Sequence, residues 1–272
     1  MAMSPVEYWN KVAGPAWVTN QEVLDTALAP FGEALVDHAR LGPGERVVDV
    51  GCGCGVTTLE AARRCGRAQG LDISRPMLAH ARKRALEARL AAEFIEGDAA
   101  TYGPAEAPLD KIISRFGLMF FQSPRCAFAN MRSWLRPGGQ LVAICWQPPV
   151  MNPWLAMPVE VARRHIPARD FDLESWAPFS LGDRDHLCES LREAGFTSVD
   201  VVEVCHPMRI SGTLEDAHDF FIERGPVVEV LLAADAPTRD AAMRALGEVL
   251  ASRYDGSAVE LDAAAWLVRA TR

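Results

Sequence analysis

The sequence predicts an α/β protein, with a doubly wound, mostly parallel sheet of seven strands, helices on both faces, and an inserted helical lid. Three observations carry that expectation. Short apolar runs without polar alternation recur in the first part of the chain, as in strands buried on both faces. Segments with helical spacing separate them, and alternating strand and helix implies a parallel sheet. A glycine cluster, Gly51-Cys52-Gly53-Cys54-Gly55, falls directly between a strand and a helix.

The first strand is Arg46–Val50, followed after the glycine cluster by a helix over Thr57–Arg64. Ala68–Asp72 is the second strand. Ser74 is the N-cap of the next helix, which has Pro76 in its first turn and runs to about Arg89. Glu93–Glu96 and Lys111–Ser114 are the third and fourth strands. Pro124–Trp134 is a helix closed by Leu135-Arg136-Pro137-Gly138-Gly139, where Pro and Gly turn the chain into the fifth and most apolar strand, Leu141–Trp146. Ahead of the first strand, Leu24, Leu28, Phe31 and Leu35 share one helical face, with Pro30 expected to kink or split that helix.

After Trp146 the texture changes. The stretch from 147 to 180 holds six prolines and no clear period, which reads as an irregular or partly helical insertion. Arg184–Ala194 is a helix ending at Gly195, Val199–Val204 a strand, Leu214–Arg253 a helical stretch, and Ala264–Ala270 the last strand. The simplest organisation has a ligand-binding core with an N-terminal helical cover over 1–146. A first lid segment spans 147–182, and the chain returns to the core over 183–211. A second lid segment spans 212–257, and 258–272 holds the last core strand.

The 272 residues are 49 % hydrophobic and 24 % charged, ample for a buried core. A formal net charge of −8 argues against a phosphate-backbone binder, because such affinity rests on Lys and Arg. The densest basic cluster, Arg82-Lys83-Arg84, reads as a solvated helix face. Seven cysteines without a CxxC pair or zinc-site spacing suit reduced thiols in a cytoplasmic protein, and no metal site is expected. The N-terminus shows no signal-peptide pattern and no apolar stretch is long enough for a bilayer.

Glycines between a strand and a helix let a ligand approach the backbone closely. The dinucleotide fingerprint Gly-x-Gly-x-x-Gly would need glycine at 56, where this chain has Val56. Asp49 lies at the strand end inside the motif, placed to orient loop amides or to meet a cationic amino-acid tail. Asp72 ends the second strand, 21 residues after Gly51, where a carboxylate accepts from two ribose hydroxyls. Taken alone, its alternative reading is a helix-capping residue. Asp98, past the third strand, can accept from an adenine amino group. Cys52 and Cys54 as a redox or metal pair explain these positions less well than a small-residue loop does.

Val47–Gly55, Gly70-Leu71-Asp72-Ile73-Ser74, Met77–Arg82, Glu96-Gly97-Asp98-Ala99 and Leu135–Gly139 resemble, in order, the motifs of class I S-adenosylmethionine (SAM) dependent methyltransferases with their Rossmann-like sheet. The likeness is to the small-molecule group that includes ubiquinone- and menaquinone-biosynthesis-type enzymes, and it covers residues 5–150. Cys52 and Cys54 depart from the family's usual Ala, Thr or Ser. The resemblance implies that Gly51, Cys52 and Gly53 pass under the methionine part of the cofactor and that Asp72 binds its ribose. It places Ile73 and Met77 on the adenine, Asp98 and Ala99 at the adenine edge, and Arg115 and Phe116 beside the sulfonium, with Met119 and Phe120 nearby. It also implies a cover by the N-terminal aromatic stretch, in which Trp17 and Gln21, four apart, share a helical face toward the cofactor cleft. Trp17 as a staple to the core is the competing reading.

The expected reaction is in-line methyl transfer from SAM to a small-molecule acceptor, leaving S-adenosylhomocysteine (SAH). Orientation and exclusion of water carry much of such a reaction. His165, His206, His218 and Glu223 are base candidates by location only. A non-catalytic SAM-binding partner or sensor and, further off, a NAD-dependent oxidoreductase are the alternatives. No nucleic-acid partner is expected, and a homodimer is left open.

Overall fold

The computed structural model describes residues 3–105, 107–166, 172–223 and 227–272. The chain opens with α1 (Pro5–Tyr8), a π-helical segment over Trp9–Ala13, α2 (Gly14–Thr19) and α3 (Gln21–Ala39). Then come β1 (Val47–Val50), α4 (Val56–Cys65), β2 (Ala68–Asp72), α5 (Arg75–Ala88), β3 (Ala92–Glu96), β4 (Leu109–Arg115), α6 (Pro124–Trp134) and β5 (Leu135–Trp146). The remainder holds α7 (Pro153–Arg163), α8 (Arg184–Glu193), β6 (Thr197–Cys205), β7 (Met208–Ser211), α9 (Leu214–Glu223), α10 (Val227–Leu232), α11 (Ala236–Ala251), β8 (Ala258–Leu261) and β9 (Ala264–Thr271).

Seven strands form one sheet in the order β3-β2-β1-β4-β5-β9-β6, and the pairs from β3 through β5 are all parallel. β9 returns antiparallel to β5. Gly138 N donates to Arg272 O and Arg272 N to Gly139 O at one end, and Gln147 N donates to Ala264 O at the other. The strand order reverses between β1 and β4. Open α/β sheets bind ligands at the carboxyl edge of such a switch point.

α3 runs through Pro30 as one helix rather than splitting. Its buried face, Leu24, Ala27, Leu28, Phe31 and Leu35, packs continuously on both sides of the proline, outweighing the lost backbone bond. Its C-terminus is held from the sheet: Lys111 Nζ on β4 donates to Ala39 O at 2.5 Å and Arg40 O at 2.9 Å, a cation on orphan helix carbonyls. β5 begins at Leu135, ahead of the expected start, because Leu135 already pairs with Leu109.

The chain divides into two compact units. One comprises residues up to Cys145, Asp183–Val204 and Ala265–Arg272; the other comprises Trp146–Gly182 and Cys205–Ala264. The second has its own core, built by Val159, Ala162, Ile166, Val227, Val230, Leu231 and Ala242. It contains an antiparallel β7–β8 pair, with Met208 opposite Leu261 and Ser211 opposite Ala258, that the sequence reading placed in the core segments. The helical stretch expected over Leu214–Arg253 consists of α9, α10 and α11. Asn152 Nδ2 donates to Gln147 O and Ala264 O, and its Oδ1 accepts from Ala264 N. One buried side chain thus ties the residues where the chain enters and leaves this unit. Among the described residues no helix is long and apolar enough to cross a membrane.

Candidate functional site

The glycine loop leaves β1 with Gly51, Gly53 and Gly55 all at positive φ, +66°, +54° and +84°. Its amides are largely engaged within the protein. Gly51 N and Cys52 N donate to Leu71 O, Gly53 N to Asp72 Oδ2 at 2.8 Å, and Gly55 N to Cys52 O. The loop therefore offers close backbone approach more than free donors. The Cys52 side chain turns inward, packed with Leu59, Leu78 and Phe94. Burial pushes its thiol well above the ordinary range and that of Cys54 up to about 12. Thiols so far from thiolate are poor redox or metal groups. Met77 on α5 lies against the loop, its Cε 2.7 Å from where a Gly53 Cβ would sit.

Asp49 is fully buried at the end of β1. Its Oδ2 accepts from Thr57 Oγ1 at 2.5 Å and Thr58 Oγ1 at 2.7 Å, both in the first turn of α4. The carboxylate faces the positive end of that helix, while its Oδ1 is buried without a hydrogen-bond partner. Desolvation raises the Asp49 carboxyl to about 6, against the two hydroxyl donors.

Asp72 is half-buried at the end of β2. Oδ2 accepts from Gly53 N and Oδ1 from Ser74 N, each at 2.8 Å. Burial raises its carboxyl against these backbone donors. It thus latches the glycine loop and turns the chain into α5, with acceptor capacity left on the carboxylate. Ser74, the N-cap by position, does not cap with its side chain; its hydroxyl donates to Trp9 O instead. Asp98 lies two residues past β3, exposed, its Oδ1 accepting from Ala100 N. Ala99 beside it is buried, and its carbonyl accepts from Asn130 Nδ2.

At the end of β4, Phe116 has φ +58°, a left-handed conformation for an aromatic residue. Its ring meets Phe31 edge to face at 5.6 Å. Gly117, absent from the sequence-predicted set, faces Gly51 across the switch point. Arg115 is largely buried under α3, 3.6 Å from Asp25 Oδ1, and burial pushes its guanidinium pKa down against Asp25 and Asp49. Met119 is buried and Phe120 half-buried in the turn that follows.

The N-terminal segment crosses this edge at Trp9 and Asn10. Asn10 Nδ2 donates to Ile73 O, Asn10 Oδ1 accepts from Arg75 N, and the Trp9 ring stands on Phe120 at 5.1 Å. Trp9 and Asn10 thereby join the end of β2 to the turn after β4. Trp17 is half-buried on α2. Gln21 is bound at both ends, Nε2 donating to Asp25 Oδ2 and Oε1 lying 3.2 Å from His80 Nε2. Arg84 corrects the reading of its cluster as a solvated face: NH1 donates to Cys54 O and NH2 to Asp25 Oδ2, each at 2.8 Å. Arg82 donates to Phe94 O but is exposed, as is Lys83, so the solvated reading holds for those two.

The base candidates lie in the second unit. His165 is exposed, and His218 Nε2 sits 3.2 Å from Met243 O. His206 is half-buried, and the Glu223 side chain lies outside the described residues. Among the described residues, no three of His, Cys, Asp or Glu converge as a metal site.

A reversed parallel sheet, a positive-φ glycine loop and acids at consecutive strand ends define a nucleotide-cofactor domain. Residues 47–139 match the family model described as a methyltransferase domain. An uncharacterized protein of Mycobacterium tuberculosis is 28 % identical over 240 residues, 88 % of this chain and 82 % of that protein. A demethylmenaquinone methyltransferase of Renibacterium salmoninarum is 32 % identical over 151 residues, 56 % of this chain and 62 % of the other. Phosphoethanolamine N-methyltransferase 2 of Haemonchus contortus, solved with phosphomonomethylethanolamine and SAH, shares the fold at a TM-score of 0.62 and 16 % identity, over 100 % of this chain and 60 % of that one. Residues 47–139 thus match a methyltransferase domain, within a fold shared with solved methyltransferases.

Proposed function

We propose that the protein moves a methyl group from SAM to a small-molecule acceptor by in-line displacement. The observation that carries this reading is the placement of Asp49, Asp72 and Asp98 at or just past the ends of three adjacent strands, around a loop of positive-φ glycines. The unpartnered Oδ1 of Asp49 is the fit test: a buried carboxylate oxygen without a donor suits the ammonium of a methionine tail, directly or through water. When bound, SAM supplies a methyl group on a positively charged sulfur.

The residues divide the work by position. Gly51, Cys52 and Gly53 give the tail backbone clearance. Asp72 accepts from the ribose hydroxyls on its remaining lone pairs. Ile73 and Met77 flank the adenine, and Asp98 with Ala99 holds its edge. Arg115 and Phe116 border the reacting centre, and the N-terminal segment, with Trp17 and Gln21, excludes water from the edge. A small acceptor is supported by the net charge of −8 and by the similarity to the demethylmenaquinone enzyme. Seven cysteines without a disulfide suit a reducing, cytoplasmic setting.

Titration calorimetry with SAH and SAM, followed by a screen of phenol, amine and thiol acceptors for SAH release, tests the reading. Micromolar SAH binding and turnover on one class are expected. NAD binding in place of SAH, or SAH binding without turnover on any class, overturns it.

A further inference from the structure

The roles proposed above leave Asp25 and Arg84, in a half-buried charge cluster beneath the glycine loop, unused. Asp25 on α3 faces three donors from three elements. They are Gln21 Nε2 at 2.5 Å on its own helix, Arg84 NH2 at 2.8 Å on α5, and Arg115 NH2 at 3.6 Å on β4. The side chains of Asp25, Arg84 and Arg115 are 17 %, 22 % and 10 % exposed, so water screens them little. Arg84 holds the Cys54 carbonyl with its other nitrogen. Cys54 is the residue between two positive-φ glycines, so its carbonyl direction sets how the loop turns into α4.

We propose that Asp25 is a positioning residue for the cofactor loop, acting through Arg84 on the Cys54 carbonyl; the inference rests on the SAM reading above. Asp25 neutralises one of two adjacent guanidinium groups. With the carboxylate present, Arg84 is drawn inward and its planar fork spans Asp25 and Cys54 together. Without it, two like charges face each other at low exposure, and Arg84 relaxes toward solvent. The Cys54 carbonyl then loses its donor, and the backbone under the cofactor loses a side-chain tie that links it to α3 and α5. The same carboxylate fixes Gln21, so loop geometry and the N-terminal cover depend on one group.

The test is a double-mutant cycle on SAH affinity in the full chain, with Asp25→Asn, Arg84→Met and both together, and Lys83→Ala as the exposed control on α5. Wild type binding SAH establishes the cofactor reading first; absence of binding there defeats that reading and not the geometry of the loop. Each single variant is expected to weaken SAH about tenfold. The double variant is expected to be no weaker than the worse single, because both act through one contact, and Lys83→Ala to match wild type. Arg84→Lys, which keeps the charge but not the fork, should recover only part of the loss. Unchanged SAH affinity in both singles with a lowered melting temperature, or fully additive losses in the double, overturns the proposal. Should Asp25→Asn fail to fold, Arg84→Met against Arg84→Lys decides it alone: equal affinity in the two overturns it.

Discussion

A Cβ placed on Gly51 would lie 2.6 Å from the Cα of Gly117, so the turns leaving β1 and β4 touch backbone to backbone. Gly51 is doubly constrained, by positive φ and by this contact. Gly117 has an ordinary φ of −95°, and space alone requires glycine there. Its Cβ would meet Val50 O at 2.6 Å and Gly51 Cα at 2.8 Å. Gly117→Ala is therefore expected to destabilise the fold by about 1–3 kcal/mol, as overpacking does. It should also displace the cofactor loop, lowering SAH affinity more than tenfold by calorimetry. Wild-type affinity in this variant would show that the contact is not needed.

Phe116 offers a test of strain separate from packing. Ordinarily glycine is less stable than alanine by about 0.5–1 kcal/mol. At φ +58° that order should invert. Both Phe116→Ala and Phe116→Gly lose the ring contact with Phe31, but the glycine variant should be the more stable by roughly 1 kcal/mol in urea unfolding. The usual order would mean that the backbone relaxes once the ring is gone.

Asp72→Ala should weaken SAM by roughly 1.5–3 kcal/mol through lost hydrogen bonds to a charged group. It also removes the acceptor of Gly53 N and Ser74 N. Asp72→Asn, which keeps one acceptor oxygen, should lie between alanine and wild type. Affinities equal to wild type in both variants would remove the ribose role.

Asp49 predicts a pH dependence whose sign is fixed by its upward shift. Its folded value of about 6 lies above the ordinary 3.8, so between these values the folded protein binds more protons than the unfolded chain. Stability from this group is thus highest at acid pH and falls as pH rises toward and through 6, by on the order of 3 kcal/mol in all. Relative to Asp49→Asn, wild type should lose stability between pH 4 and 7. Cofactor binding runs the other way. An ammonium facing Asp49 favours the carboxylate, so SAH affinity should rise with pH through 6 and level off above. Parallel profiles in wild type and Asp49→Asn would disprove both.

The N-terminal segment separates Trp9 from Trp17. Trp9 stands on Phe120, and its neighbour Asn10 bridges Ile73 and Arg75. Asn10→Ala and Trp9→Ala should each speed SAH dissociation several-fold in stopped-flow fluorescence, more than Trp17→Ala does. A larger effect at Trp17 would make α2 the main cover.

The sequence by itself determined the alternation of strand and helix, the glycine loop and the order of its three acids, because each is written in local spacing. An apolar run makes a buried strand, Gly51-x-Gly53-x-Gly55 makes a turn at positive φ, and an acid at a strand end stays at that end whatever surrounds it. Only the tertiary structure decided which side chains meet there. Trp9 reaches Ser74 across 65 positions and Arg84 reaches Asp25 across 59, distances over which no periodicity carries information. Arg84 looked solvated because its helix face is polar, yet the carboxylate that draws it inward comes from α3. Gly117 carried no sign because its φ is ordinary and its constraint is another strand's backbone. The β7–β8 pair was equally hidden, since two strands separated by three helices share a register only once those helices have folded.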